Sequence, residues 1–526
     1  MIKKLLTNTY WCFFTTIVIA LVYAYVLRPY GLEVQNDSCS YVRGALSLQQ
    51  GLGFTYAGKY LNHFPAGLSI VYASLSSLFH VSIFKVALWF HVLCIFLLGL
   101  LLKTIFDLIQ IAPPLQILGL LLYLFSAPVW NISTKLLTEL PSLVLLTVCS
   151  LLLFRYLKND RKTVLLPLLG FLLGAGIIFR FAMIGFLAGF LLVVFWQHRF
   201  NWRDAILRCI YLALPAIIWV VAYNVYVQVY YQQALQDRMI VWHPISLQQI
   251  YFFIRTPFSW FFEVDYTQPK TLFFLFGAGF ILMLMLVVNY NSSQSSNRNQ
   301  ISEFFAKQKS IYWAMTTLII VYIVFLMLSV SLFDAATPID TRILSPLSIY
   351  VYLLLLSCFN HLYLHARFKW LTQWSLFVLT CVFNWAATQA LPYRHQYPLG
   401  YNTPYWHREA KAIVCDSQEV WLRQHRDIYT NAYYYWRLHD DRPTSKIPQN
   451  HNPFTLIKNK HIHNDMLALQ NEIANDSAQL VYFNLLIKNT TLPSKKTMLT
   501  YFSDSSRFDF VSFEGGFIIQ GKKQRH

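Results

Sequence analysis

The chain has 526 residues, 56% of them hydrophobic and only 13% charged, with a formal net charge of +18. A soluble globular domain carries about 25% charged residues, so this composition excludes one and indicates a polytopic membrane protein. The Lys and Arg excess lies in loops between apolar runs rather than in one patch, which makes it a membrane-insertion signature and argues against nucleic acid as a partner.

Tyr10–Leu27 is the first apolar run, and Lys3 and Lys4 precede it. It is long for the core of a cleaved leader and no small-x-small site follows. It therefore predicts a retained anchor with the N-terminus in the cytoplasm. Residues 28–67 then emerge outside and are polar. Within them Asp37 precedes SCSYVRGALSLQQG, a helical pattern stopped by Gly51 and Gly53. A carboxylate there N-caps the helix and is also placed to take a proton from a hydroxyl. The stretch closes on the turn His63-Phe64-Pro65-Ala66-Gly67.

Residues 66–80 are apolar but short and Ser-rich. A spanning helix needs about 20 predominantly apolar residues. If 66–80 crossed, Arg155, Lys158, Arg161 and Lys162 would fall outside, together with Arg199, Arg203, Arg367 and Lys369. An interfacial helix keeps all these clusters inside. The spans are then expected at 10–27, 84–102, 113–130, 140–157, 163–179, 181–197, 206–230, 271–289, 311–333, 343–363 and 370–391. That makes about eleven transmembrane helices over residues 1–391. The loop at 289–300 is a polar connector.

The outer segments 28–83, 131–140, 231–270 and 334–342 then share one face. The aromatic residues of 231–270 suit the headgroup zone. Glu139 starts the 140–157 span, where a carboxylate complements the helix dipole, and Lys135 beside it is its expected ion-pair partner. Arg180 lies between two short spans. Arg342 opens an outer helix, where a cation opposes the dipole and so needs another reason to be present. Both arginines either snorkel to lipid phosphate or bind a particular lipid phosphate in bidentate fashion. Glu263-Val-Asp265 has a DxD-like spacing that weakly suggests a divalent cation; no other metal ligand set stands out. The eight Cys are spread singly without CxxC spacing, and Cys39 and Cys415 read as unrelated thiols.

Residues 392–526 are ordinary in polarity. Strands are expected at 427–431 and 479–484, a helix at 419–425 and a hairpin over 508–522 across Gly515–Gly516. The fold class is thus a polytopic α-helical membrane domain with a small extracytoplasmic α/β domain at the C-terminus.

The order of features resembles the GT-C superfamily of polytopic glycosyltransferases. The matching residues are Asp37 with Tyr41, Ala45, Leu48 and Gly51-Leu52-Gly53-Phe54. Next come Pro65-Ala66-Gly67, Thr138-Glu139-Leu140, the stretch Gly170 to Arg180, and Arg342-Ile343-Leu344-Ser345-Pro346. The nearest branch is the bacterial protein-mannosyltransferase-like and aminoarabinose-transferase-like one, with the galacturonosyl transferases of lipopolysaccharide core. The resemblance implies a polyprenyl-phosphate sugar donor and an acceptor hydroxyl on a lipid, glycan or protein. It also implies a site on the outer face of the cytoplasmic (inner) membrane, with Asp37 as catalytic carboxylate and Glu139 facing it. Arg342, Arg180, Lys135 and His63 are the expected phosphate ligands, although a Lys or other polar residue before Pro-Pro in the family is replaced here by His63-Phe64-Pro65-Ala66. Alternatives of another class are a transporter or flippase for a lipid-linked glycan and a non-catalytic assembly subunit. The low charge at mid-depth of the spans disfavours transport.

Overall fold

The structure, a computed structural model, describes residues 2–260 apart from short stretches, the helices at 298–332 and 341–365 with a few residues about them, 369–378, and strand segments within 427–521. The chain divides into two units, Met1–Arg28 with Tyr60–Tyr397, and Pro29–Lys59 with Pro398–His526.

The first unit is helical. Its elements are α1 (Ile2–Leu27), α3 (Gly67–Phe79), α4 (Ile83–Leu108), α5 (Pro113–Leu124), α6 (Ala127–Ser133), α7 (Glu139–Lys158), α8 (Leu165–Phe179) and α9 (Met183–Gln197), followed by α10 (Trp202–Tyr231), α11 (Leu247–Ser259), α12 (Arg298–Leu332) and α13 (Thr341–His365). Six of these contain a stretch long and apolar enough to cross a membrane: Thr9–Leu27, Ile83–Leu108, Glu139–Lys158, Trp202–Tyr231, Gln308–Leu332 and Thr341–Leu364. The expected straight span at 113–130 is instead two helices, α5 and α6, bent by 53°. Ser126 stands in extended conformation before α6, whose first turn holds Pro128; proline favours a helix start and interrupts a continuous one. Counting the bent pair as one span gives seven.

The expected spans 163–179 and 181–197 are α8 and α9, of 15 residues each. At 1.5 Å per residue each is about 22 Å long, short of the ~30 Å hydrocarbon core. The segment expected to be interfacial is α3, with 13 residues. The expected span 271–289 lies outside the described residues, and of 370–391 the part up to 378 is helical.

α7 runs through the middle of this unit and is buried along most of its length. Two pairs of glycines set the close approaches around it. A Cβ on Gly170 would collide with the Leu212 carbonyl of α10, and one on Gly174 would lie 2.9 Å from the Ala216 Cα. On α9, a Cβ on Gly185 would meet Phe325 at 2.6 Å and one on Gly189 would meet Leu318 at 2.9 Å, both on α12. Both pairs have the GxxxG spacing that lets helices touch backbone to backbone in lipid. Buried hydroxyl pairs tie α13 to its neighbours, with Tyr350 Oη 2.8 Å from Ser150 Oγ and Tyr123 Oη 3.0 Å from Ser348 Oγ. Asn360 accepts from the Ala112 N–H at 2.8 Å and donates to the Gln110 carbonyl at 3.1 Å, which satisfies backbone groups at the start of α5.

In the second unit, α2 covers Asn36–Gln49. The helix thus begins at Asn36, and Asp37 sits inside its first turn rather than at the N-cap position. Gly51 and Gly53 both take left-handed φ, +75° and +76°, which ends it. The Ser47 and Thr55 hydroxyls are 2.7 Å apart. The short strands β1 (Thr55–Tyr56) and β2 (Lys59–Tyr60) pair with each other, and β3 (Asp427–Thr430), β4 (Thr444–Lys446), β5 (Ala478–Phe483), β6 (Phe508–Phe513) and β7 (Gly516–Gly521) form one sheet in the order β4-β3-β5-β7-β6. β3 is parallel to β4 and β5, and β7 is antiparallel to β5 and β6. Gly516 pairs with Phe513 inside the sheet, so it belongs to the strand and not to the turn. The helix expected at 419–425 lies outside the described residues.

Candidate functional site

α7 starts at Glu139, and no side chain caps the helix there. A carboxylate in that first turn offsets the partial positive charge of the unpaired N–H groups. Arg180 is the residue at which α8 stops. Its backbone turns to extended values, and its N–H donates to the Gly176 carbonyl at 2.8 Å. This reversal between α8 and α9 carries the guanidinium inward, and Nη1 lies 2.7 Å from Glu139 Oε1. Arg342 occupies the first turn of α13, where Asp340 Oδ1 accepts from the Ile343 N–H at 2.9 Å and so caps the helix. Its Nε is 3.5 Å from the same Glu139 oxygen. Glu139 is the reason a cation can stand at that helix start.

Glu139 is 4% exposed and Arg180 8%, while Arg342 is half-buried. With all of them ionised, the cluster holds two positive charges against one negative. Burial opposes the charge on Arg180, and the carboxylate beside it outweighs that and raises its pKa. Glu139 Oε2 is buried and has no hydrogen-bond partner among the described residues. The same holds for Ser142 Oγ one turn further along α7, and for Trp130 Nε1 and Asn131 Oδ1 on the preceding segment. Buried polar atoms without partners are costly.

Two residues that no sequence motif singled out frame this end of the bundle. His91, buried on α4, lies with Nδ1 3.1 Å from the Ser133 carbonyl and Nε2 3.2 Å from Tyr72 Oη. A carbonyl only accepts, so Nδ1 carries the proton and Nε2 accepts from Tyr72. The ring thereby ties α3 and α4 to the turn that leads into Glu139. Tyr322, buried on α12, donates to the Ile343 carbonyl at 3.0 Å and stacks on Phe186 at 4.3 Å. Its hydroxyl lies within the electrostatic reach of Arg180.

Gly67 explains the Pro65-Ala66-Gly67 turn. A Cβ there would sit 2.8 Å from the Ile178 carbonyl, so only glycine lets α3 begin against the last turn of α8 before Arg180. The Ala66 N–H donates to Tyr223 Oη at 3.2 Å, and Tyr60 Oη is 3.0 Å from the same hydroxyl. Tyr60 is buried and its pKa is pushed well up by that burial.

Of the residues singled out in the sequence, the structure therefore brings together Glu139, Arg180 and Arg342. The ion-pair partner expected for Glu139, Lys135, is replaced by the two arginines; Lys135 is half-buried in the turn before α7. Asp37 stands in the other unit, in the first turn of α2. His63, Glu263 and Asp265 lie outside the described residues. Among the described residues no group of three metal-binding side chains occurs.

The end opposite Glu139 is closed by a second polar cluster. Tyr156 Oη is 2.7 Å from His198 Nε2 and accepts from Arg208 Nη1 at 2.9 Å, while Asp204 Oδ2 lies 2.8 Å from Arg208 Nε and 3.3 Å from His198 Nδ1. Seventeen residues, about 25 Å of helix, separate Glu139 from Tyr156 on α7. α9 starts just after Arg180 and ends just before His198. The two helices thus run parallel, joined by an ion pair at one end and by this cluster at the other.

No family model matches the chain, and no curated relative does. Among solved structures, ArnT from Cupriavidus metallidurans in the apo state aligns over 98% of this chain and 98% of its own, at 12% identity and TM-score 0.41. ArnT bound to undecaprenyl phosphate aligns over 96% of this chain and 97% of its own, at 11% identity and TM-score 0.40. The arabinofuranosyltransferase AftD from Mycobacteria matches 98% of this chain with 40% of its own length, at 11% identity and TM-score 0.49. At these identities none of them assigns a role to a residue here.

Proposed function

We propose that this chain is a membrane glycosyltransferase that moves a sugar from a polyprenyl-phosphate donor to an acceptor hydroxyl at the outer face of the cytoplasmic membrane, with inversion. The observation that carries this reading is the cluster of buried Glu139 and Arg180 with half-buried Arg342, which holds a net positive charge at one end of the helical unit. A lipid phosphate leaving group gains negative charge as the sugar–oxygen bond breaks. Guanidinium groups held in place beforehand stabilise that charge without reorganising. Glu139 orients both arginines through Oε1, and its other oxygen remains available to a hydroxyl of the sugar.

The acceptor oxygen attacks the anomeric carbon, the bond to the phosphate oxygen breaks with its electron pair, and the acceptor proton passes to a carboxylate. Asp37 is the residue proposed for that last role, on the strength of the resemblance of its surroundings to the first outer loop of GT-C enzymes. Lys135 and His63 are secondary phosphate ligands in this proposal, and Glu263 with Asp265 remains the place for a divalent cation if one takes part. The acceptor is a lipid, glycan or protein hydroxyl.

The test is sugar transfer from a polyprenyl-phosphate sugar in reconstituted membranes, alongside mass spectrometry of envelope glycans from cells with and without the protein. The expected outcome is transfer by the intact chain and the absence of one sugar from the glycans of deficient cells. Unchanged glycans together with no transfer from any lipid-linked donor would reject the reading.

A further inference from the structure

The turn between α9 and α10, at the end opposite Glu139, combines two features that belong together chemically. Arg199 and Arg203 are exposed. The Arg199 guanidinium carbon lies 4.8 Å from the centre of the Trp196 ring and 4.3 Å from that of Phe200, and that of Arg203 lies 5.6 Å from that of Trp202. Contact with ring faces holds a guanidinium in place while its N–H edges stay open to an anion. Arg199 commits one N–H, to the Trp196 carbonyl at 3.0 Å. The nearby acid, Asp204, is already engaged with Arg208 and His198, so it leaves the two outward arginines unneutralised. Phe200 is 88% exposed at the tip of this turn.

Beyond Arg203 the exposed apolar surface of α10 is broad, and on the side of Arg203 it runs through Leu207, Ile210, Leu214, Ile218 and Val221. The spacing of three or four residues keeps these side chains on one face, and that face includes Arg203. A pair of cations heading an apolar stripe on a membrane helix is complementary in both charge and polarity to one kind of molecule.

We propose that this turn and the α10 face bind an anionic glycerophospholipid, with its phosphate between Arg199 and Arg203 and an acyl chain along the stripe. The site is separate from the Glu139 cluster and does not depend on the reaction assigned to it.

Native mass spectrometry tests this with the full chain extracted from vesicles of phosphatidylglycerol and phosphatidylcholine in equal amounts. The intact chain retains phosphatidylglycerol preferentially. In the double variant Arg199→Gln/Arg203→Gln that retention falls roughly 30-fold, at about a factor of five for each arginine at a lipid surface. The variant Arg199→Lys/Arg203→Lys keeps the charge and retains an intermediate amount. Equal retention of both lipids by the intact chain overturns the proposal, as does undiminished phosphatidylglycerol in the Gln variant. Full displacement of the lipid by millimolar inorganic phosphate would show a free-anion site instead. Disulfide linking of two copies through Ile210→Cys in place of lipid retention would show that a second chain covers the face.

Discussion

Glu139 is a carboxylate that two arginines reach from different helices, and substituting it separates its electrostatic role from its volume. Glu139→Gln keeps the shape and leaves the buried Arg180 and the half-buried Arg342 without their counter-charge. Breaking a buried pair in this way costs about 3–5 kcal/mol, so the variant is expected to unfold at lower temperature in detergent and to lose transfer. Arg342→Ala removes the less buried of the two cations. Its expected effect is weaker donor binding, read as a raised KM for the lipid-linked sugar; an unchanged KM would leave this arginine with a purely structural part. Asp37→Asn, a nearly isosteric loss of charge, is expected to lower transfer by about 10²–10⁴-fold while the protein inserts normally. Residue types at helix ends made these positions legible in the sequence, but their pairing was less so. Lys135 lies four residues before Glu139 and looks like the natural partner, whereas Arg180 and Arg342 reach it only through the reversal after α8 and the start of α13. His91 and Tyr322 gave no signal at all, because a single His or Tyr inside an apolar run changes neither its period nor its hydropathy.

At the level of elements, small residues determine how closely the helices approach. Gly67→Ala places a methyl against the Ile178 carbonyl and should shift α3 away from the end of α8, at a cost of about 1–3 kcal/mol. Activity falling more than stability would show that this packing positions Arg180. Gly170→Val on α8 should cost at least as much, because its obstacle is the α10 backbone rather than a side chain that can rotate. Both GxxxG spacings are visible in the sequence, yet the partner of each glycine is a property of the folded bundle. The break between α5 and α6 shows a related limit. Hydropathy is continuous from 113 to 130, and only Ser126 and Pro128 hint that the run is two helices.

For the whole molecule, the expected topology rests on charge distribution as well as on hydropathy. Eleven spans are expected over residues 1–391; among the described residues six helices meet the length of a full crossing, seven with the bent pair, and α8 and α9 do not. The ion pairs hold Glu139, Arg180 and Arg342 at one end of the helices, and the Lys and Arg distribution leads us to expect that end on the outer side. Cysteine labelling checks this directly. A Cys at Lys158 and a Cys at Asn131 are expected to react from opposite sides of the membrane, and labelling of both from the same side would refute the arrangement.

The shortness of α8 and α9 has a further consequence. Two adjacent helices about 22 Å long cannot match a hydrocarbon layer of about 30 Å, and lipid meets such a mismatch by thinning or by tilting the protein, at a fraction of a kcal/mol per Å. α9 is clamped at both ends, so tilting it alone would strain either the ion pair or the Tyr156–His198 contact. Thinning is the easier response, and a thinned patch lowers the headgroup plane toward Arg180. The bilayer itself would then bring a lipid-borne phosphate within reach of the guanidinium groups. Transfer is accordingly expected to run faster in membranes of short-chain lipids and to slow as the acyl chains lengthen.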